Sequence, residues 1–327
     1  MHNQSIPPGS PGKVYIHSEL NEADRFSDKR RIIRKIFHKI SAPVGDLYSV
    51  IQSVPSRLAT LFYCRPYRNE YCDPKNENTW RDWKAGSAGL HVLSHGFQGH
   101  SSIWNRYIKE LRKQGGNADI RVPFIPEKGN CSLEEATASI RTMVKKYIKK
   151  EIDIKQNCAI PTIYLYGVSN GARISLNMLN GLVDDEMSKD LENKNLRLNF
   201  KIYSIAGVLR GTKNWQIRLA HSCRFMNWVA RKIFKISPDL LNDFKYESEG
   251  STKLIEMARL IHKNVDRISF TFDFYASTED GLMKPYAASL PVLGRGETHN
   301  IVHGEGHTSI VNRVLADIMQ KNFPKKS

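Results

Sequence analysis

From Leu90 to the C-terminus, short runs of β-branched, aromatic and aliphatic residues alternate with longer stretches whose apolar residues recur at helical spacing. Leu90–Ser94, Ile120–Val122, Thr162–Tyr166, Phe200–Ala206 and Arg267–Tyr275 read as strands. Ile103–Gln114, Leu133–Ile148 and a stretch from Thr308 to about Lys321 read as helices, as does the segment carrying Ile174, Leu176, Met178, Leu179 and Leu182. Alternation at this spacing predicts an α/β fold with a mostly parallel sheet flanked by helices. It breaks between Gly211 and about Val265, where Arg224–Ile236 and two further stretches are helical in pattern. A single crossover rarely needs about fifty residues. Residues 213–262 are therefore expected to form a helical cap inserted between two strands; the simpler alternative is a crossover built of several helices.

Upstream of Leu90 the pattern is different. Residues 1–24 are polar and hold Pro7, Pro8, Gly9, Pro11 and Gly12, which predicts a poorly ordered arm. In Ser27–Ile40, the apolar Ile32, Ile33, Ile36, Phe37 and Ile40 share one helical face, the opposite face is almost wholly basic, and Pro43 ends the run. Residues 62–86 are polar and rich in Arg, Asn and Trp, and read as a connection without regular structure. The expected division is an N-terminal extension over 1–85 and an α/β domain over 86–327 that carries the cap.

Composition places the chain among soluble globular proteins, with 40% apolar and 25% charged residues. No window approaches the roughly 18 consecutive apolar residues of a membrane span, and the N-terminus lacks the apolar core of a secretory signal. The five cysteines, Cys64, Cys72, Cys131, Cys158 and Cys223, are odd in number and scattered, with no Cys-x-x-Cys. That argues against a disulfide framework or a zinc site and for a reducing, cytoplasmic setting. The net charge of +16 changes the picture more. It favours anionic partners, a membrane surface or a nucleic acid, over a neutral one. No zinc-finger spacing, RNP-like aromatic pair or heptad run supports the nucleic acid. The basic amphipathic segments Ser27–Ile40 and Arg224–Ile236 suit an anionic bilayer, or equally a fold whose lysines are simply solvated.

The chemistry centres on Thr162–Ile174, where a β-prone run enters Gly167-Val168-Ser169-Asn170-Gly171 and a helical pattern follows at once. Gly-x-Ser-x-Gly alone arises by chance in roughly one in ten chains of this length. Set between a strand and a helix, it is the context of a nucleophile elbow. A serine hydroxyl needs a base to take its proton, and the base needs an acid to hold its tautomer. The candidate acids after Ser169 are Asp280, just past a predicted strand, its neighbour Glu279, and Asp273 within that strand. Among the candidate bases, His307 follows two glycines and directly precedes a helix, whereas His299 and His303 lie on or near a strand. Asp280 and His307 are the preferred pair. Backbone donors for an oxyanion are expected from Asn170, next to the nucleophile, and from Phe97 in the loop His95-Gly96-Phe97-Gln98-Gly99-His100, where glycine lets the chain turn towards a substrate. His95 and His100 precede Ser169 and read as walls of the site.

Leu93–Gly99, Gly167–Gly171, Ile205–Thr212, Ser277–Gly281 and Gly306–Ile310 together resemble the lipase and esterase branch of the α/β-hydrolase superfamily. The resemblance spans residues 90–321 and does not extend to the first 85. It implies a serine hydrolase that cleaves a carboxylic ester or thioester of an acyl lipid or another apolar acyl group, through an acyl-enzyme and without metal or organic cofactor. Asn170 departs from the His, Met or Gln commonly found beside the lipase nucleophile, a position that acts through its backbone N–H. Two rivals stand beside this reading: a binding or scaffold protein on the same fold, and a nucleic-acid binder driven by charge alone.

Overall fold

The β-prone runs form one all-parallel sheet in the computed structural model of the chain, which describes residues 71–72, 75–76, 78, 89–97, 99, 101–115, 118–155, 160–213, 224–225, 227–228, 236–263, 267–288, 290 and 297–322. The strands are β1 (Tyr71–Cys72), β2 (Leu90–Ser94), β3 (Asp119–Pro123), β4 (Ile163–Val168), β5 (Leu198–Ile205), β6 (Ile268–Ser277) and β7 (Glu297–Val302). Their order across the sheet is β1-β3-β2-β4-β5-β6-β7, and every pairing is parallel. The chain runs outward from β2 to β3, then crosses back to β4 on the other side of β2. The crevice beyond the carboxyl ends of β2 and β4 is therefore a topological switch point, where ligands of open α/β sheets bind.

Alternating side chains divide the core into two layers. On one side Ile163, Leu165, Phe200, Ile202, Phe270, Phe272 and Phe274 meet α2 (Leu133–Ile154), α3 (Asn170–Asn177), α4 (Asp185–Asn193) and α6 (Glu249–Lys263). On the other, Tyr166, Val168, Tyr203, Ile205 and Tyr275 meet α1 (Asn105–Gly115) and α8 (Ser309–Asn322). The remaining helices, α5 (Pro238–Asp243) and α7 (Pro285–Ala288), are short. Side-chain caps start several helices: Ser132 Oγ accepts from Glu135 N at 3.2 Å, Asp184 Oδ1 from Met187 N at 2.8 Å, and Ser237 Oγ from Leu240 N at 3.2 Å.

The sheet flanked by helices agrees with the sequence pattern, and the differences are local. The first turn of the helix expected from Ile103 is a 3₁₀ turn over Ser101–Trp104, and α2 runs on to Ile154 because Ile152 continues its buried face. β1 lies in the stretch read as irregular; two residues at a sheet edge are too short to show a period, yet Tyr71 pairs with Val122. Within the expected cap, α6 buries Leu254 and Ala258 in the layer shared with α3, as a crossover helix does. The N-terminal arm, the basic helix over Ser27–Ile40, most of Arg224–Ile236, and Cys64, Cys158 and Cys223 lie outside the described residues. Cys131 is a buried free thiol. Among the described residues no helix is long and apolar enough to cross a membrane.

Candidate active site

Ser169 sits between the end of β4 and the first residue of α3, with φ 55° and ψ −123°. Such a backbone is strained for a residue with a side chain, by about 1–3 kcal/mol, and persists only where its surroundings hold it. Here Ser169 N donates to Ile205 O at 2.9 Å, while its carbonyl accepts from Ala172 N at 3.1 Å and Val208 N at 3.3 Å. The flanking glycines are there for space. A Cβ on Gly167 would lie 2.4 Å from Ala172 Cα, and one on Gly171 would lie 2.3 Å from the carbonyl oxygen of Ser94.

The carboxyl ends of β6 and β7 bring the other candidates to this point. His307 Nε2 is 3.0 Å from Ser169 Oγ, and its Nδ1 is 2.7 Å from Asp280 Oδ2. The Asp280 side chain is fully buried and that of His307 is 14% exposed, so the ring is screened but reachable. Asp280 Oδ1 accepts from the backbone N–H groups of Leu282 at 2.7 Å and Met283 at 2.8 Å. One carboxylate oxygen is thus fixed by the loop and the other faces the imidazole. With Nδ1–H donated to Asp280, Nε2 carries the lone pair directed at Ser169 Oγ. This arrangement can take a proton from the serine.

The remaining candidates are used elsewhere. Glu279 Oε2 accepts from Gly304 N at 2.8 Å and from Thr278 Oγ1 at 2.6 Å, tying the loop after β7 to the end of β6. His303 meets the same Thr278 hydroxyl at 3.0 Å, and His299 stacks on Phe274 with ring centres 5.1 Å apart. Asp273 stays within β6, where burial raises its carboxyl above the usual range. His95 Nδ1 donates to Gly96 O at 2.8 Å, a bond that folds the loop after β2, and His100 lies outside the described residues.

That loop passes close to Ser169: a Cβ on Gly96 would lie 2.7 Å from Ser169 Cβ. Among the described residues, neither Phe97 N–H nor Asn170 N–H has a hydrogen-bond acceptor. Phe97 directly follows the glycine packed against Ser169, and Asn170 N–H is the first of a helix, whose dipole favours negative charge.

Three features escaped the sequence pattern. The turn Pro126–Gly129 carries consecutive positive φ angles at Glu127, Lys128 and Gly129 (46°, 55° and 79°) and seats Gly129 beside Phe97, where its carbonyl accepts from Asn170 Nδ2 at 3.4 Å. Arg173, fully buried one turn into α3, donates to Val208 O and Asp243 O at 3.2 Å each and to Ser251 Oγ at 3.0 Å, and pairs with Asp243 Oδ2 at 3.0 Å. The third is apolar. Leu240 and Phe244 from the α5 region join Val208, Met283, Phe97 and Ile236 in a separate cluster, with the Phe97 and Phe244 rings edge-on at 6.0 Å. It links the loop after β2 to the loop after β6. The Pro126–Gly129 turn was foreshadowed only by its Pro and Gly; Arg173 and the cluster depend on contacts distant in sequence.

No protein-family model and no curated protein sequence matches the chain. Solved structures similar in fold include a phospholipase, PlaB from Legionella pneumophila, at 12% identity over 62% of this chain and 46% of that one, with a TM-score of 0.39. Lipase B of Aspergillus fumigatus is 14% identical over 73% of this chain and 55% of its own, with a TM-score of 0.44. A lipase-esterase related protein from Clostridium acetobutylicum is 17% identical over 73% of this chain and 95% of its own, with a TM-score of 0.40. The match thus spans about half the length of the first two.

Proposed function

We propose that this chain, whose fold is that of the α/β-hydrolase superfamily, is a serine hydrolase of carboxylic esters or thioesters. The observation that carries the reading is the unbroken relay Asp280–His307–Ser169, with spacings of 2.7 and 3.0 Å, at a strained elbow on the switch point of the sheet. Ser169 Oγ attacks the acyl carbon as its proton passes to His307 Nε2, and Asp280 stabilises the imidazolium so formed. The carbonyl oxygen becomes an oxyanion that accepts from Phe97 N–H and Asn170 N–H; one such donor contributes about 10²–10³ in kcat. Nε2–H then passes to the departing alkoxide or thiolate, leaving an acyl ester on Ser169. A water gives its proton to His307, attacks that ester, and Ser169 leaves with the proton returned.

The cluster formed by Val208, Leu240, Phe244 and Met283 against Phe97 favours an apolar acyl group, as an acyl lipid would present, over a polar one. Fluorophosphonate labelling with peptide mass mapping tests the reading. An adduct on Ser169, absent from Ser169→Ala, is expected. A folded protein that takes no label, with lipid or detergent present, would refute the activated serine.

A further inference from the structure

Phe225 and Trp228 stand out on the surface between β5 and β6. They are 65% and 52% exposed, although large aromatic side chains are normally kept from water. Both are helical and one turn apart, with rings stacked at 6.1 Å and 20°, so they leave the same face together. Arg224 beside them is also exposed.

The sequence around them is one-sided. Arg218, Arg224, Arg231, Lys232 and Lys235 all fall between Lys213 and Pro238, and no Asp or Glu does; the first carboxylate is Asp239. The partner for such a stretch is anionic. It also has apolar depth, because the cations alternate with Trp215, Ile217, Leu219, Val229, Ile233 and Phe234. Nucleic acid is held through phosphate contacts and aromatic stacking, which would leave most of these aliphatic side chains without a partner. A bilayer takes both: aromatic rings settle at the headgroup level and cations meet anionic phosphates. The stretch also runs directly into Ile236 and Leu240, which belong to the apolar cluster beside the oxyanion loop.

We propose that the surface carrying Arg224, Phe225 and Trp228 docks the protein on anionic lipid bilayers, with the two aromatic rings seated at the boundary of headgroups and acyl chains. The docking stands on exposure and charge; only its consequence, delivery of acyl lipid to Ser169, rests on the ester-hydrolase reading. Electrostatic attraction brings the protein to the surface and the aromatic pair holds it there.

The experiment is co-sedimentation of the full chain with vesicles of phosphatidylcholine alone or with added phosphatidylglycerol, at low and high salt. Phe225→Ser/Trp228→Ser and Arg224→Glu/Arg231→Glu variants are compared after circular dichroism has shown each to be folded. Binding is expected to need phosphatidylglycerol and to weaken with salt. The aromatic variant should bind about tenfold more weakly or worse, and the charge-reversed one should lose its preference for anionic vesicles. Hydrolysis of a short, water-soluble nitrophenyl ester without vesicles should be the same in all three proteins. Equal recovery with neutral and anionic vesicles, or an aromatic variant that binds like the parent, overturns the docking. So does salt-sensitive binding to single-stranded RNA in place of vesicles. Vesicle binding as expected, with no ester hydrolysed by the parent, leaves the docking standing and removes the enzymatic reading instead.

Discussion

Exchanging Asp280 for Asn tests the relay at its least exposed point, and the structure dictates how the new side chain must sit. Asp280 Oδ1 accepts two backbone N–H bonds, from Leu282 and Met283, at 2.7 and 2.8 Å. In Asp280→Asn only the amide oxygen can meet those two donors, so the NH₂ is left facing His307 Nδ1, now 2.7 Å from Asp280 Oδ2. A ring nitrogen opposite a donor must act as acceptor. His307 is then held in the tautomer that carries its proton on Nε2, aimed at Ser169 Oγ and unable to receive another. The expected loss in kcat is about 10⁴, or about 5 kcal/mol in the barrier. Stability should change little, because both loop donors keep an acceptor; Asp280→Ala leaves them without one, at roughly 1–3 kcal/mol for each buried group. The assay is kcat on a nitrophenyl ester together with urea unfolding for all three proteins. Activity of Asp280→Asn within about tenfold of the parent would refute the tautomer argument, since the side chain would then not decide which nitrogen holds the proton.

Removing the Arg173 guanidinium in Arg173→Met should cost about 3–5 kcal/mol in urea unfolding, because Asp243 and Val208 O lose a buried partner. Changing Asp243 to Leu as well should recover part of that cost, and a single-variant cost below about 1 kcal/mol would show the pair to be energetically idle. Burial, with a smaller contribution from Arg112, pulls the His91 imidazole from its ordinary 6.5 down to about 3. Between those values the unfolded chain binds a proton that the folded chain refuses, so stability falls as pH falls, by about 1.4 kcal/mol per pH unit and about 2 kcal/mol from pH 6.5 to 5. Unfolding of His91→Gln should lose that much of the slope over this range; an unchanged slope would clear His91 of the effect.

What could be read from the sequence follows the range of the interactions involved. The elbow is local: strand, glycine spacing and helix are contiguous, so Ser169 is recognisable without its partners. Asp280 and His307 are long-range partners, but each lies just beyond the carboxyl end of a strand, and parallel strands align those ends across the sheet. Ser277 pairs with Val302, and Val168 with Ile205, so the loops they lead into are neighbours. The same reasoning explains why Glu279 is engaged elsewhere. It is next to Asp280 in sequence, yet its carboxylate is taken by Gly304 N and Thr278 Oγ1, a choice made by the loop after β7.

Arg173 marks where such reasoning ends. Nothing in the sequence sets it apart from the other cations, since its partners Asp243 and Ser251 lie 70 and 78 residues away, yet its side chain is fully buried. Those partners belong to α6 and to the end of α5, the helix that brings Leu240 onto the apolar cluster beside Phe97. Removing either partner of such a pair leaves a buried charge uncompensated, so the contact ties together the elements that supply it. Arg173 thus ties α3, the helix that follows Ser169, to the helix that carries the apolar wall. The proposed triad is specified by short motifs and the strand ends, whereas the apolar wall beside it depends on one buried ion pair that no short motif contains.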